Sequence, residues 1–452
     1  MSTLRLFQSL RNPVFARLYT AQTTNLLGDA LTWVGLALLA FDLAGRNSAL
    51  VLSTALTLRV TAFVLLAPLA GAIADRFDRK RIMVVTHLAR MVLVGLLPFV
   101  TQIWQIYALV LSLNVFYAFF TPTYQATIPL VTGQNDYPQA IALSSATFQL
   151  LGVIGPGVAG AVAAFVGARQ VFFLDALTFL LAAILIVTLP GQLRVDQAIA
   201  QVRTPGRTWR DIKNGTTRLF ADASLRYALA MQLVASITGA QILVNTIGYI
   251  RGTLRLGSVQ YGWVMAAFGI GATLSAVIVG SLNQRWARTT LILIGVSLIT
   301  VALLPAGRVG LGLLMVLWLI AGAGQTCVNV SAQTLIADRT PTDAQGRVYG
   351  AQFAWSHLWW VFSYPLAGWL GIHFKDAEFL YGGLIGLVLL AIVQLVLSPR
   401  GHESPPEGTW HEHEHFHNDY HQHEHHPGIS VSEPHIHPHQ HTASSSTGNS
   451  LL

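Results

Sequence analysis

The chain has 452 residues, 53% of them hydrophobic and only 10% charged. A water-exposed fold needs about a quarter of its residues charged, so this composition excludes most soluble enzymes and points to a bilayer. The net charge of +7 hides a division: residues 1–399 carry 26 Lys and Arg against 13 Asp and Glu, and residues 400–452 carry one Arg against seven acids.

Taken in chain order, Met1 to Arg17 is polar and basic, and the apolar run after it lacks a small-residue cleavage site. The first helix is therefore expected to stay as an uncleaved anchor. At about 20 apolar residues per membrane helix, spans are expected near 18–41, 49–73, 82–101, 104–128, 139–166, 169–189, 227–250, 259–282, 290–306, 310–336, 347–371 and 379–398. Nineteen Lys and Arg fall at the ends and loops on the side of the termini and six on the other. By the positive-inside rule both termini are then cytoplasmic in a bacterial inner membrane. That rule also accounts for the basic balance without a nucleic acid partner, and no obligate protein partner is evident. The single Cys327 excludes an intramolecular disulfide.

A long basic stretch, 190–226, separates six spans from six and contains a predicted surface helix from Trp209 to Phe220. Gly71-Ala-Ile-Ala-Asp75-Arg76-Phe-Asp-Arg79-Lys80 reappears 209 residues later as Gly280-Ser-Leu-Asn-Gln284-Arg285-Trp-Ala-Arg288-Thr289, keeping the Gly and both Arg positions. A parallel repeat of this kind is how many secondary transporters are built.

The first copy resembles the loop motif Gly-x-x-x-Asp-Arg-x-Gly-Arg-Arg of the major facilitator superfamily, with Asp78 where many members have Gly. The resemblance implies that Gly71, Asp75, Arg76, Arg79 and Lys80 gate one conformation on the cytoplasmic side. Gly152, Gly155, Pro156 and Gly160 resemble the antiporter motif of exporters in that superfamily, where Pro removes a backbone donor and Gly permits close helix packing. The implied fold is an all-α membrane protein of twelve helices in two six-helix halves, 1–189 and 227–399, joined by a cytoplasmic loop at 190–226.

Charges within spans cost about 2.5–3.5 kcal/mol each on insertion scales and are usually kept for a function. Asp29, Arg59, Arg90 and Asp175 are the candidates. Asp29 and Arg59 lie on adjacent helices and are expected to pair across a cavity, leaving Asp29 able to exchange its partner for a proton. Arg90 and Asp175 read more readily as static partners. Cys327, Asn329 and His357 are a further candidate group for substrate contact. No Gly-x-x-x-x-Gly-Lys-[Ser/Thr] loop is found, so transport would be coupled to a gradient, and the protein is not expected to be an enzyme.

From residue 400 histidine dominates: 13 of the 16 histidines lie in the last 53 residues. His411, His413, His415, His417, His421, His423, His425 and His426 form one cluster, and His435, His437, His439 and His441 a second. Imidazole interleaved with carboxylate suits Ni, Co, Zn or Cu. The Pro, Gly and Ser content argues for a disordered chain that binds several exchangeable ions. A facilitator-type exporter with such a tail is similar to the NreB and NrsD group of bacterial nickel-resistance permeases. That resemblance implies nickel efflux, with cobalt possible, as substrate rather than cofactor and driven by proton antiport. Two other readings stay open: an exporter of amphiphilic drugs or metal chelates with a regulatory tail, and a membrane metal sensor that has lost transport.

Overall fold

A computed structural model describes residues 7–74, 77–191, 205–282, 286–399, 411–415 and 435–439. The helices are α1 Pro13–Ala44, α2 Ser48–Ala74, α3 Arg79–Leu96, α4 Ile103–Val166, α5 Gln170–Val187, α6 Pro205–Ala221, α7 Ala223–Gly248, α8 Ser258–Leu282, α9 Arg288–Leu303, α10 Leu311–Arg339, α11 Thr342–His373 and α12 Glu378–Leu397.

Local chemistry sets several starts. Asn12 caps α1 by accepting from the backbone N–H groups of Val14 and Phe15, with Pro13 in the first helical position, where its missing N–H costs nothing. Asp78 caps α3 by accepting from the Lys80 N–H at 3.0 Å. The Gly-to-Asp departure in the loop motif therefore has a structural use. The 64-residue α4 is broken at Gly133, whose φ of 71° lies outside the helical region and suits a residue without a Cβ. It consists of two arms, 103–132 and 134–166.

The helices alternate in direction. The C-terminal ends of α1 and α7 and the start of α12 meet at one end of the bundle, where Arg46, Gly248 and Glu378 line a common small pocket; this is termed the far end. At the near end, Arg17 of α1 donates to the Thr188 carbonyl after α5 at 2.9 Å. Within α1–α5, α1 packs on α5 and α4; within α7–α12, α8 packs on α10 and α7 on α11 and α12. The two sets meet where α2 runs along α11 and the second arm of α4 along α8. The surface helix α6 packs on α11, with Phe220 edge-on to Trp355 at 5.3 Å between ring centroids.

Nine segments among the described residues are long and apolar enough to cross a membrane, the first running through both α1 and α2. The expected twelve are not all recovered on that measure. α11 is not among those recovered, because Ser356, His357, Ser363, Tyr364 and Pro365 in its middle turns lower its hydropathy.

Residues 1–398 and 399–452 form two separate compact units. In the second, His411–His415 (β1) and His435–His439 (β2) pair as an antiparallel ribbon. For these ten residues the expectation of a disordered tail gives way to extended backbone, because His alternating with another residue has the two-residue period of a strand. His417, His421, His423, His425, His426 and His441 lie outside the described residues.

Candidate transport cavity

A cavity of about 240 Å³ opens between the two sets of helices. Its wall is mainly apolar or aromatic, including Trp33, Leu56, Phe148, Tyr261, Met265 and Tyr364; Asp29 and Arg59 are its charged groups. Asp29, Trp33, Arg59 and Tyr117 also line a second pocket of about 20 Å³, which Thr32 and Arg90 complete. That is room for about one water.

The ion pair differs from the expected one. Asp29 bonds the Arg90 guanidinium of α3, while Arg59 places its guanidinium 4.4 Å above the Trp33 ring. Arg90 is held ready for Asp29 from several sides. It donates to Asn25 Oδ1 at 3.3 Å and lies over the rings of Phe179 at 4.2 Å and Tyr117 at 5.1 Å. Asn25 and Asp29 share one face of α1 at i, i+4 spacing, so a single guanidinium meets both. Arg90 is thus the partner of the cavity carboxylate and Arg59 a second cation held by an aromatic face. Asp175 is fully buried on α5, its carboxyl oxygens 2.5 Å from the Thr32 hydroxyl and 2.9 Å from the Thr178 hydroxyl.

The loop motif reaches the near ends of neighbouring helices. Arg79 donates to the Ala126 carbonyl on the first arm of α4, and Lys80 donates to the Leu189 carbonyl just after α5 at 2.6 Å. Cations at helix C-terminal carbonyls are favourable. The repeat holds in space, because Arg288, the counterpart of Arg79, bonds Asp338 in the last turn of α10 at 3.1 Å. Asp75 and Arg76 lie outside the described residues, and Gly71 stands in the last turns of α2.

The antiporter-like run lies within continuous helix; among the described residues, Gly133 is the non-helical point of α4. Its glycines serve approach. A Cβ on Gly155 would fall 2.9 Å from Ala30 Cβ, and one on Gly160 would fall 2.7 Å from the Gly262 Cα. Gly152 and Pro156 line the cavity. At the far end the two sets also meet through Asp42 and Arg251 at 2.5 Å and through Gly368 against Ser53, which closes the cavity there.

Cys327, Asn329 and His357 are not brought together. Cys327 donates to the Leu291 carbonyl of α9 at 3.1 Å, and Asn329, two residues on, projects from a different helix face to accept from Gln325 at 3.5 Å. The His357 ring packs on Phe353 at 3.8 Å and Phe63 at 6.0 Å. Sequence reasoning missed the aromatic wall, since Trp33, Tyr117, Tyr261 and Tyr364 come from four distant helices. It also missed Asn25 and Thr32, whose spacing of four and three residues from Asp29 was a readable signal.

No group of three or more His, Cys, Asp or Glu among the described residues is placed to hold a metal ion. In the ribbon the register pairs His411 with His439, His413 with His437 and His415 with His435. Alternate residues of a strand share a face, so six histidine positions fall on one face.

A helical bundle around a central cavity lined by Asp29 and Arg59 is the arrangement of a multi-pass membrane transporter. The chain belongs to the major facilitator superfamily, in the family described as transmembrane secretion effectors, which matches residues 5–390. It is 27% identical over 400 residues to the uncharacterized MFS-type transporter YfiS of Bacillus subtilis, covering 84% of this chain and 92% of the relative. It is 25% identical over 416 residues to the multidrug efflux pump Tap of Mycolicibacterium fortuitum, covering 87% and 97%. Its fold is similar to that of the nucleoside transporter NupG (TM-score 0.64, 14% identity, 84% of this chain and 98% of that one). A bacterial homologue of the lysosomal transporter Spinster is similar to the same degree (TM-score 0.64, 13% identity, 87% and 96%). The chain is an MFS-type transporter of that family.

Proposed function

We propose that this exporter exchanges protons for a divalent transition metal, nickel foremost and cobalt second, and that the metal crosses within a shell of water or small organic ligands. The observation that carries the metal is the tail, where 13 histidines are concentrated and the ribbon register sets six of their positions on one face. Nickel in particular rests on the resemblance to the NreB and NrsD group.

The cavity shapes the rest of the reading. The cavity and the small pocket beside it offer one carboxylate, Asp29, against two guanidinium groups, so a stripped dication would lose its hydration and gain little. An ion that keeps its ligands suits the aromatic wall. Asp29 released from Arg90 can take a proton, which makes it the coupling group. We read the bundle as twelve spans, counting the two arms of α4 separately and including α11, with halves 1–189 and 227–399 rocking about the cavity. Both termini are cytoplasmic in the bacterial inner membrane, and the far end is the outer side. The tail tethers metal near the transporter and raises its local concentration.

A second reading, export of metal-free amphiphilic compounds, is favoured by the apolar lining of the cavity. The multidrug pumps among its relatives support the same reading. The deciding experiment measures Ni, Co, Zn and Cu accumulation and survival against ethidium in cells expressing the full chain or Asp29→Asn at equal membrane abundance. Lower nickel content with the unaltered chain, restored by the substitution, supports the metal reading. Resistance to ethidium without any change in metal supports the second, and no effect on either removes both. Deleting residues 401–452 should raise the nickel concentration needed for efflux while leaving some activity.

A further inference from the structure

Behind the cavity lies a carboxyl group that the ion pair does not use. Asp175 is fully buried, and among the described residues no Lys, Arg or His forms an ion pair with it. A bare carboxylate in such surroundings is costly, and its contacts show how that cost is avoided. Thr32 Oγ1 donates to Asp175 Oδ2 at 2.5 Å. Thr178 Oγ1 lies 2.8 Å from the Asp175 carbonyl oxygen and 2.9 Å from Asp175 Oδ1. A threonine hydroxyl has one hydrogen and two lone pairs, so it cannot donate fully to both oxygens. A hydrogen on Oδ1 satisfies every contact: Oδ1–H donates to Thr178, Thr178 donates to the backbone carbonyl, and Thr32 donates to Oδ2.

The carboxyl also fits its niche closely. A Cβ on Gly28 would lie 2.0 Å from Asp175 Oδ1 and 2.1 Å from Thr178 Oγ1, so only glycine leaves room for the pair. Gly28 precedes Asp29 directly. Thr32 belongs both to the Asp175 bond and to the wall of the water-sized pocket that holds Asp29 and Arg90. One hydroxyl therefore links the buried carboxyl to the cavity.

We propose that Asp175 is the second proton carrier of this transporter, holding a proton in the state seen here and exchanging it with Asp29 through Thr32 and a water in the small pocket. In the exchange the Asp175 carboxyl turns about its Cβ–Cγ bond to present its O–H to Thr32; that O–H bond breaks as Thr32 receives the hydrogen, Thr32 passes its own hydrogen to the pocket water, and the water gives one of its hydrogens to Asp29. Asp29 leaves Arg90 as a neutral acid, Asp175 becomes the carboxylate, and the net charge of the cluster is unchanged. Two carboxyl groups sharing one proton titrate as a pair. The other ionisable groups facing them are Arg59 on α2, His87 and Arg90 on α3 and Tyr117 on the first arm of α4. His87 is buried between Phe120 and Phe179, and neither ring nitrogen has a hydrogen-bond partner among the described residues.

This inference rests on the proton-exchange reading above, but its test needs no cargo. Infrared difference spectra of the full-length protein in lipid at pH 7 would compare the unaltered chain with Asp175→Asn and with Asp29→Asn. The expected result is loss of one protonated-carboxyl C=O band in Asp175→Asn and its retention in Asp29→Asn. Loss in Asp29→Asn alone, or in neither, overturns the proposal. Should Asp175→Asn fail to fold, Thr178→Val serves instead: the band should shift as the carboxyl O–H loses its acceptor, and an unshifted spectrum counts against it. A chain that moves neither nickel nor ethidium can still show the band, so failure of the cargo reading and failure of this one are separable.

Discussion

Helices α1–α5 and α7–α12 share one large apolar core but treat polarity differently. The first set encloses Asp29, Arg59, Arg90, Asp175 and His87 around one corner of the cavity. The interior of the second is held by neutral groups: Asn245 donates to Gln241 and to the Ala367 carbonyl, Gln352 to Gln232, Ser236 meets Ser363, and Trp318 donates to Thr246. Among the described residues its one buried acid, Glu378, sits at the far end. A neutral hydrogen bond keeps the same partners whatever the pH, whereas an ion pair in a low-dielectric site changes with every proton. Coupling therefore belongs to the first set, and the second supplies a fixed wall against which it moves.

The comparison can be broken at its strongest point first. Asp29→Asn should lower pH-driven efflux by at least about tenfold, the equivalent of about 1.4 kcal/mol, in vesicles with an imposed proton gradient. An unchanged response would remove the coupling role from α1. Arg90→Met leaves a part-buried carboxylate without its cation and should cost about 3–5 kcal/mol, read as a lowered unfolding temperature in detergent. Adding Asp29→Asn should recover part of that loss, and failure to do so would mean that Arg90 acts through its aromatic contacts alone. Asn245→Ala, in the neutral set, should cost only about 1–3 kcal/mol for the hydrogen-bond partners left behind and leave the pH dependence of transport unmoved. A shifted pH profile in that variant would erase the contrast between the two sets. Smallest of all, Asp42→Asn removes an exposed pair worth at most about 1 kcal/mol. It should slightly increase labelling of a cysteine placed at Ser53, and high salt should cancel the difference.

Much of this was legible in the sequence. The apolar runs located the helices to within a few residues because membrane helices need long apolar stretches, and the charges within them marked the site because each is expensive. The pairing was not legible. Arg59 and Arg90 are equally charged on paper, and only packing shows that Asn25, Tyr117 and Phe179 position Arg90 while Trp33 holds Arg59. Nor could composition reveal that Gly28 makes space for Asp175, since the two are distant in the chain. Polarity alone groups Cys327, Asn329 and His357, and polarity in a span does not say which way a side chain faces; the three have different neighbours. In the tail, residue content suggested loose chain, whereas the alternation within 411–415 and 435–439 already carried a strand period.

That alternation has a consequence for how the tail can change over generations. All six histidines of the ribbon occupy odd-numbered positions, and the register matches odd with odd. One residue inserted inside either strand would send the histidines beyond it to the opposite face. Insertions between the strands leave the parity of each intact. The connecting stretch can therefore drift freely in length while the two five-residue segments cannot, and related tails should vary most between their histidine clusters.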